Sequence, residues 1–210
     1  MKQNKTKILS ILSQLYPNPT TELEFETPFQ LLIATILSAQ CTDKVVNRIT
    51  SVFFCDHPDV YSMSSLTEEQ IAGYIKSAGL WKTKAKHIKM VCEILINEHH
   101  GLVPQTREEL ENLPGVGRKT ANVVLANAFS IPAIAVDTHV QRVANRLGLA
   151  QSKTPLRTEK QLMELIPKHQ WSDAHHWLIL HGRRVCRAQR PLCDQCPLLP
   201  YCPQNGLKSN

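Results

Sequence analysis

Hydrophobic positions along this chain recur at helical rather than strand spacing. Alternating runs of β-branched residues, the mark of half-buried strands, are absent. Helix starts recur instead. Thr27-Pro28 sets an N-cap ahead of a proline at the first helical position. The run behind it, Phe29 to Leu37, is apolar on every side and predicts a buried helix. Thr67-Glu-Glu-Gln70 and Thr106-Arg-Glu-Glu109 match capping boxes. Gly79 and Gly148 read as helix stops. Roughly ten short helices joined by short loops follow from these signals, and the fold class is all-α. The final stretch, 203–210, reads as a frayed tail.

None of the apolar stretches predicts a membrane span. The longest, Phe29 to Ala39, is about half of the ~20 residues a span needs, and the next, Ala121 to Val136, is interrupted by Asn122, Asn127 and Pro132. Residues 1–7 are basic but lead into polar-punctuated sequence without a cleavage site, so no secretory signal is read and a cytoplasmic address is expected. The 210 residues allow one large domain or two small ones. Lys plus Arg exceed Asp plus Glu by 24 to 18, a net charge of +6 that points to a polyanion, nucleic acid before membrane. The charge is uneven. Glu22, Glu24 and Glu26 form an acidic entry segment; Lys82, Lys84, Lys86 and Lys89 crowd eight residues; Asp137 is the only acid between Glu111 and Glu159; Arg183, Arg184, Arg187 and Arg190 surround Cys186.

Seven cysteines are too many for a reducing compartment to leave unexplained, and an odd number cannot pair completely. Cys186, Cys193, Cys196 and Cys202 follow the spacing C-x6-C-x2-C-x5-C, with Pro197 and Pro203 stiffening the loops. Four thiolates so arranged suit a structural zinc or an iron–sulfur cluster. Only one C-x2-C pair is present, which is unlike a zinc ribbon, and the nearby arginines would balance the negative charge of a cluster; the residues alone leave both metals open. Cys41, Cys55 and Cys92 fall in helical patterns as small core residues.

Leu113-Pro114-Gly115-Val116-Gly117 separates two helical patterns. Two glycines permit positive φ in a tight turn, which is either an ordinary connection between helices or a site whose backbone N–H groups would hold a DNA phosphate without regard to base. Lys119 follows in the first turn of the next helix. It is either a surface charge or a nucleophile, for which the helix N-terminus, adjacent Arg118 and apolar neighbours would favour the free amine. Asp137 is an N-cap, a carboxylate brought near Lys119, or both.

Leu37-Ser-Ala-Gln40, Leu113-Pro-Gly-Val-Gly-Arg-Lys-Thr-Ala-Asn122, Val136-Asp-Thr-His-Val-Gln-Arg142 and the four-cysteine tail, in this order, resemble the endonuclease III family of helix–hairpin–helix DNA glycosylases with abasic-site lyase activity. The resemblance spans nearly the whole chain. It implies excision of oxidised pyrimidines, with Lys119 attacking C1′ of the damaged nucleotide and Asp137 assisting, followed by Schiff-base β-elimination. It implies a [4Fe-4S] cluster on Cys186, Cys193, Cys196 and Cys202. It implies two helical domains with the DNA cleft between them: a six-helix domain at 21–131, and a discontinuous domain of 1–20 plus 132–210 that carries the cluster loop. Base flipping leaves a gap; by resemblance Gln40 fills it and Leu80 wedges the opposite strand. Leu113, Gly115, Val116 and Gly117 hold phosphate through the hairpin, while His139, Arg187 and Arg190, with Lys82, Lys84 and Lys86, reach the backbone. Cys41 departs from the small residue or threonine expected there. The partner this resemblance implies is double-stranded DNA with damaged pyrimidines or abasic sites, with a monomer expected in the cytoplasm, associated with the nucleoid through DNA and not with a membrane. The alternative, from a different class, is a non-catalytic helix–hairpin–helix DNA-binding module with a structural metal; a zinc-stabilised interaction domain is a third.

Overall fold

The computed structural model describes residues 2–207. Among them there is no strand, and no helix is long and apolar enough to cross a membrane. The chain forms two compact units. One is the continuous segment Thr21–Ile131; the other joins the chain up to Thr20 with the chain from Pro132 onward.

The continuous unit is built around α2 (Pro28–Leu37). Thr27 caps it through its side chain, and every residue from Phe29 to Leu37 is buried, as the apolar run predicts. Around it stand α3 (Asp43–Asp56), α4 (Val60–Ser64), α5 (Glu68–Ile75), α6 (Trp81–His99), α7 (Arg107–Glu111) and α8 (Arg118–Ala128). That is one helix more than the six the resemblance implies, because α4 and α7 are only five residues long. α2 packs on α3, α6 and α8, and α6 also packs on α4 and α5. Thr67 and Gln70 close a full capping box on α5. At α7 the box stays half-formed, since the Glu109 carboxylate takes the Thr106 hydroxyl. Gly79 is not a helix stop. α5 ends at Ile75, and Gly79 lies in the following turn.

The other unit contains α1 (Lys2–Leu15), α9 (Thr138–Arg146), α10 (Pro155–Leu165), α11 (Trp171–Arg184) and short 3-10 turns at Lys168–Gln170, Cys193–Gln195 and Leu199–Tyr201. Its core joins Ile8, Leu12 and Tyr16 of α1 to Val140, Val143 and Ala144 of α9 and to Ala174, Trp177 and Leu178 of α11. Burial of this kind stabilises by about 1.5–3 kcal/mol per large aliphatic side chain. Gly148 ends α9 in the left-handed region at φ +68°, and Leu149 N–H returns to the Ala144 carbonyl. The tail is not frayed through its described part. Asn205 bonds back to Arg146 and Asn145 at the end of α9; residues 208–210 lie outside the described residues.

His176 of α11 is buried, and desolvation, aided by the Arg183 charge, pushes its imidazole down to about 4. The unfolded chain titrates near 6.5 and so binds more protons than the folded chain between the two values. Stability is therefore complete above about pH 6.5 and is lost as pH falls towards 4, by about 3 kcal/mol for this residue. Urea denaturation near pH 7 and pH 4.5 will show a smaller acid loss in His176→Gln than in the wild type.

Candidate DNA-repair active site

The hairpin Leu113–Gly117 connects α7 to α8. Leu113 and Val116 are 3% and 5% exposed, so their side chains anchor the turn in the core and only its backbone faces outward. A hold of theirs on DNA would therefore run through backbone N–H groups, as the hairpin reading expects, and not through side chains. Gly115 alone takes positive φ, at +77°; Gly117 is extended and serves as the N-cap of α8 without a capping side chain. A Cβ on Gly115 would approach His87 Nδ1 to 2.6 Å. Gly115→Ala is therefore expected to cost about 1–3 kcal/mol and to weaken duplex binding, which thermal denaturation and fluorescence anisotropy will read. Arg107 Nε donates to Asn122 Oδ1 at 2.8 Å and ties α7 to α8 behind the turn.

Lys119 occupies the first turn of α8 and is exposed. The partial burial suggested by Thr120-Ala-Asn-Val-Val-Leu-Ala is absent, because Ala121 to Leu125 are buried and the first turn stands clear of them. Arg118 is turned towards Glu111, 3.8 Å away. Lys119 thus faces solvent at the end of a helix whose N-terminus attracts anions.

Gln40 and Leu80 are exposed, Leu80 by 57%, and both hold left-handed backbone at φ +54° and +61°. For non-glycine residues this conformation costs about 1–2 kcal/mol, and such strain gathers at ligand-contacting positions. Of the four lysines at 82–89, Lys82 and Lys86 are exposed. Lys84 is 4% exposed and Lys89 bonds the Ser64 carbonyl and Glu93, so neither fits a phosphate contact. For Lys84 this is a correction with a clear cause: its ammonium is spent on the carbonyls of Leu37 and Ala39.

In the other unit Asp137 is the half-buried N-cap of α9, its carboxylate accepting from Val140 N–H at 2.7 Å. That bond uses Oδ1. His139 is half-buried against α11, its Nδ1 3.2 Å from Arg142 Nη2, where a backbone phosphate contact gains little support. Arg187 and Arg190 are exposed in the loop after Cys186, Arg190 at φ +49°.

Cys186, Cys193, Cys196 and Cys202 are all free thiols lining one cavity with Arg146 and His181. Burial, together with the neighbouring thiols, pushes Cys196 and Cys202 up, against the lowering effect of nearby backbone N–H groups. Four thiolates here need a cation. Four cysteines lining one cavity form a donor set that suits a metal centre, zinc or iron–sulfur. Burial pushes His181 down to about 4, so its ring is neutral. Its Nδ1 lies 3.1 Å from Tyr16 Oη and its Nε2 3.6 Å from Cys196 Sγ, so both nitrogens have partners.

Sequence reasoning missed Arg146. Its guanidinium donates to the Arg187 and Ala188 carbonyls at 2.6 and 3.0 Å and lies 3.6 Å from Cys186 Sγ. Arg142 holds the Gly182 and Cys186 carbonyls. The available signal was their i, i+4 spacing on one face of α9.

Comparison with known proteins identifies the family. The sequence profile of the HhH-GPD superfamily of base excision DNA repair proteins matches residues 33–168. Endonuclease III of Synechocystis sp. is 49% identical over 203 residues, 96% of this chain and 93% of its own length. Endonuclease III of Escherichia coli K12 is 48% identical over 202 residues, 95% and 96% of the two chains. A solved structure of a trapped endonuclease III–DNA covalent intermediate superposes with a TM-score of 0.93 at 45% identity, covering 97% of this chain and 96% of that one. The chain belongs to the HhH-GPD superfamily of base excision DNA repair proteins and, within it, to the endonuclease III family.

Proposed function

We propose that this protein excises oxidised pyrimidines from duplex DNA and then nicks the abasic strand, with Lys119 as nucleophile. The observation that carries the reading is an exposed lysine in the first turn of α8, immediately behind the Leu113–Gly117 hairpin, in a chain so close to an endonuclease trapped covalently on DNA. The hairpin backbone and the α8 N-terminus hold phosphate. Gln40 fills the space left by the flipped nucleotide, whose extrusion costs a few kcal/mol, and Leu80 wedges the opposite strand. Exposed Lys82, Lys86, Arg187 and Arg190 supply charge along the backbone.

Lys119 Nζ, relieved of a proton, bonds to C1′ as the bond from C1′ to the base breaks and the base departs with the electron pair. Asp137 accepts a proton during activation and stabilises positive charge developing on the sugar. Ring opening gives an imine between Nζ and C1′. Loss of a C2′ proton then expels the 3′ phosphate oxygen, and water releases the enzyme. The protein acts as a monomer in the cytoplasm, on chromosomal DNA.

Cys186, Cys193, Cys196 and Cys202 would hold a [4Fe-4S] cluster, which when bound supplies a cross-link between the end of α11 and the two following 3-10 turns. The support is the shared cavity, the four free thiols and the C-x6-C-x2-C-x5-C spacing. Anaerobically purified protein will be brown with broad visible absorbance and bound iron; a colourless, zinc-containing preparation overturns the cluster. The activity is tested with a duplex carrying thymine glycol under borohydride. A covalent protein–DNA adduct and a nicked strand are expected. Salt-dependent binding with neither product would instead indicate a non-catalytic binding module.

A further inference from the structure

The proposed reading assigns the opened duplex to two residues on separate turns: Gln40 after α2, which fills the gap, and Leu80 before α6, which wedges the opposite strand. Neither side chain accounts for how the two tips are held in register. Three observations do. Both residues sit in strained left-handed backbone. The turns touch, since a Cβ on Gly79 would stand 3.3 Å from the Gln40 carbonyl oxygen. And one residue bonds to both turns: Lys84 Nζ donates to the Leu37 and Ala39 carbonyls at 2.8 and 2.6 Å, while its backbone N–H donates to the Leu80 carbonyl at 3.0 Å.

Leu37 is the last residue of α2, where carbonyls lack intrahelical donors and the helix dipole is negative. An ammonium answers both needs. It also stops the chain from continuing as helix and fixes the turn that delivers Gln40. An apolar side chain of equal length would fill the same space without the desolvation that a buried charge demands.

We infer that Lys84 is a positioning residue, which holds Gln40 and Leu80 at a fixed separation for insertion into the flipped-out duplex, and is not itself a phosphate contact. The inference rests on the gap-filling reading of Gln40 and Leu80. It predicts a defect confined to steps that need an opened duplex. Nicking of an abasic site in single-stranded DNA requires no gap filling and depends on Lys119 alone in this unit.

The test compares Lys84→Met, Lys84→Gln, Gln40→Ala and the double variant Lys84→Met/Gln40→Ala. Single-turnover excision of thymine glycol from duplex, nicking of a single-stranded abasic oligonucleotide, and the salt dependence of duplex binding are measured for each. Lys84→Met should lower duplex excision roughly ten- to hundredfold. Single-stranded nicking should stay within about twofold, and the salt slope should not change. The double variant should be no slower than the slower single variant, because the two residues act as one device. Lys84→Gln, whose shorter neutral amide reaches one carbonyl at most, should lie between and carries the test if Lys84→Met does not fold. Wild-type duplex excision by both Lys84 variants beside an impaired Gln40→Ala overturns the proposal. So do fully additive losses, and so does a salt slope reduced by about one, the mark of a phosphate contact. If Gln40→Ala excises at the wild-type rate, the gap-filling reading has failed, and this proposal falls with it by an outcome visible in that single variant.

Discussion

Lys119→Gln will form no borohydride-trapped adduct and will lose strand nicking by at least about 10³-fold, while still binding duplex DNA. Glutamine keeps the length and polarity of the side chain and offers no amine, so neither the bond to C1′ nor the imine can form. Stability will barely move. Lys119 is exposed in the first turn of α8, where it makes no core contact to lose and a cation is if anything unfavourable. Gel analysis of trapping, anisotropy and thermal denaturation on one preparation read all three. An adduct of wild-type yield from this variant would remove Lys119 from the nucleophile's role and leave the hairpin as a binding element.

Asp137→Asn separates two duties of one side chain. Asparagine caps helices as well as aspartate does, so the bond to Val140 N–H survives and folding stability should change by less than about 0.5 kcal/mol. Proton acceptance and charge stabilisation are lost, and single-turnover base excision should fall by about 10²–10⁴-fold. Asp137→Ala loses the cap as well and should add about 1 kcal/mol of destabilisation. Equal stability losses in both variants, with excision intact in Asp137→Asn, would reduce the residue to a cap.

Elements governed by neighbours in sequence were readable in advance. Thr27-Pro28, Thr67 to Gln70 and Gly148 punctuate helices where expected, because capping depends on atoms three or four residues apart. The cysteine spacing and the place of Lys119 at a helix start are local in the same way. What stayed hidden depends on distant partners. Lys84 reads as one of four similar lysines, and only contacts across 45 and 47 residues show that its charge is turned inward. Arg118 was expected to press on Lys119, but Glu111 draws it away. The left-handed backbone at Gln40 and Leu80 has no residue-type signal at all, since the strain is imposed by the packing of the turns. Arg146 escaped notice because its acceptors are carbonyls, which every residue carries.

One helix, α9, begins with Asp137 and ends with the arginine that grips the Cys186 loop. Each residue added to a helix turns everything beyond it by about 100° and shifts it by about 1.5 Å. A one-residue insertion or deletion between Asp137 and Arg142 would swing both arginines off the carbonyls of residues 182–188, or else swing the carboxylate off its own helix end. Side chains on the outer face of α9 are open to replacement, but its length is not. Lineages of this protein should therefore keep the count from Asp137 to Arg146 unchanged.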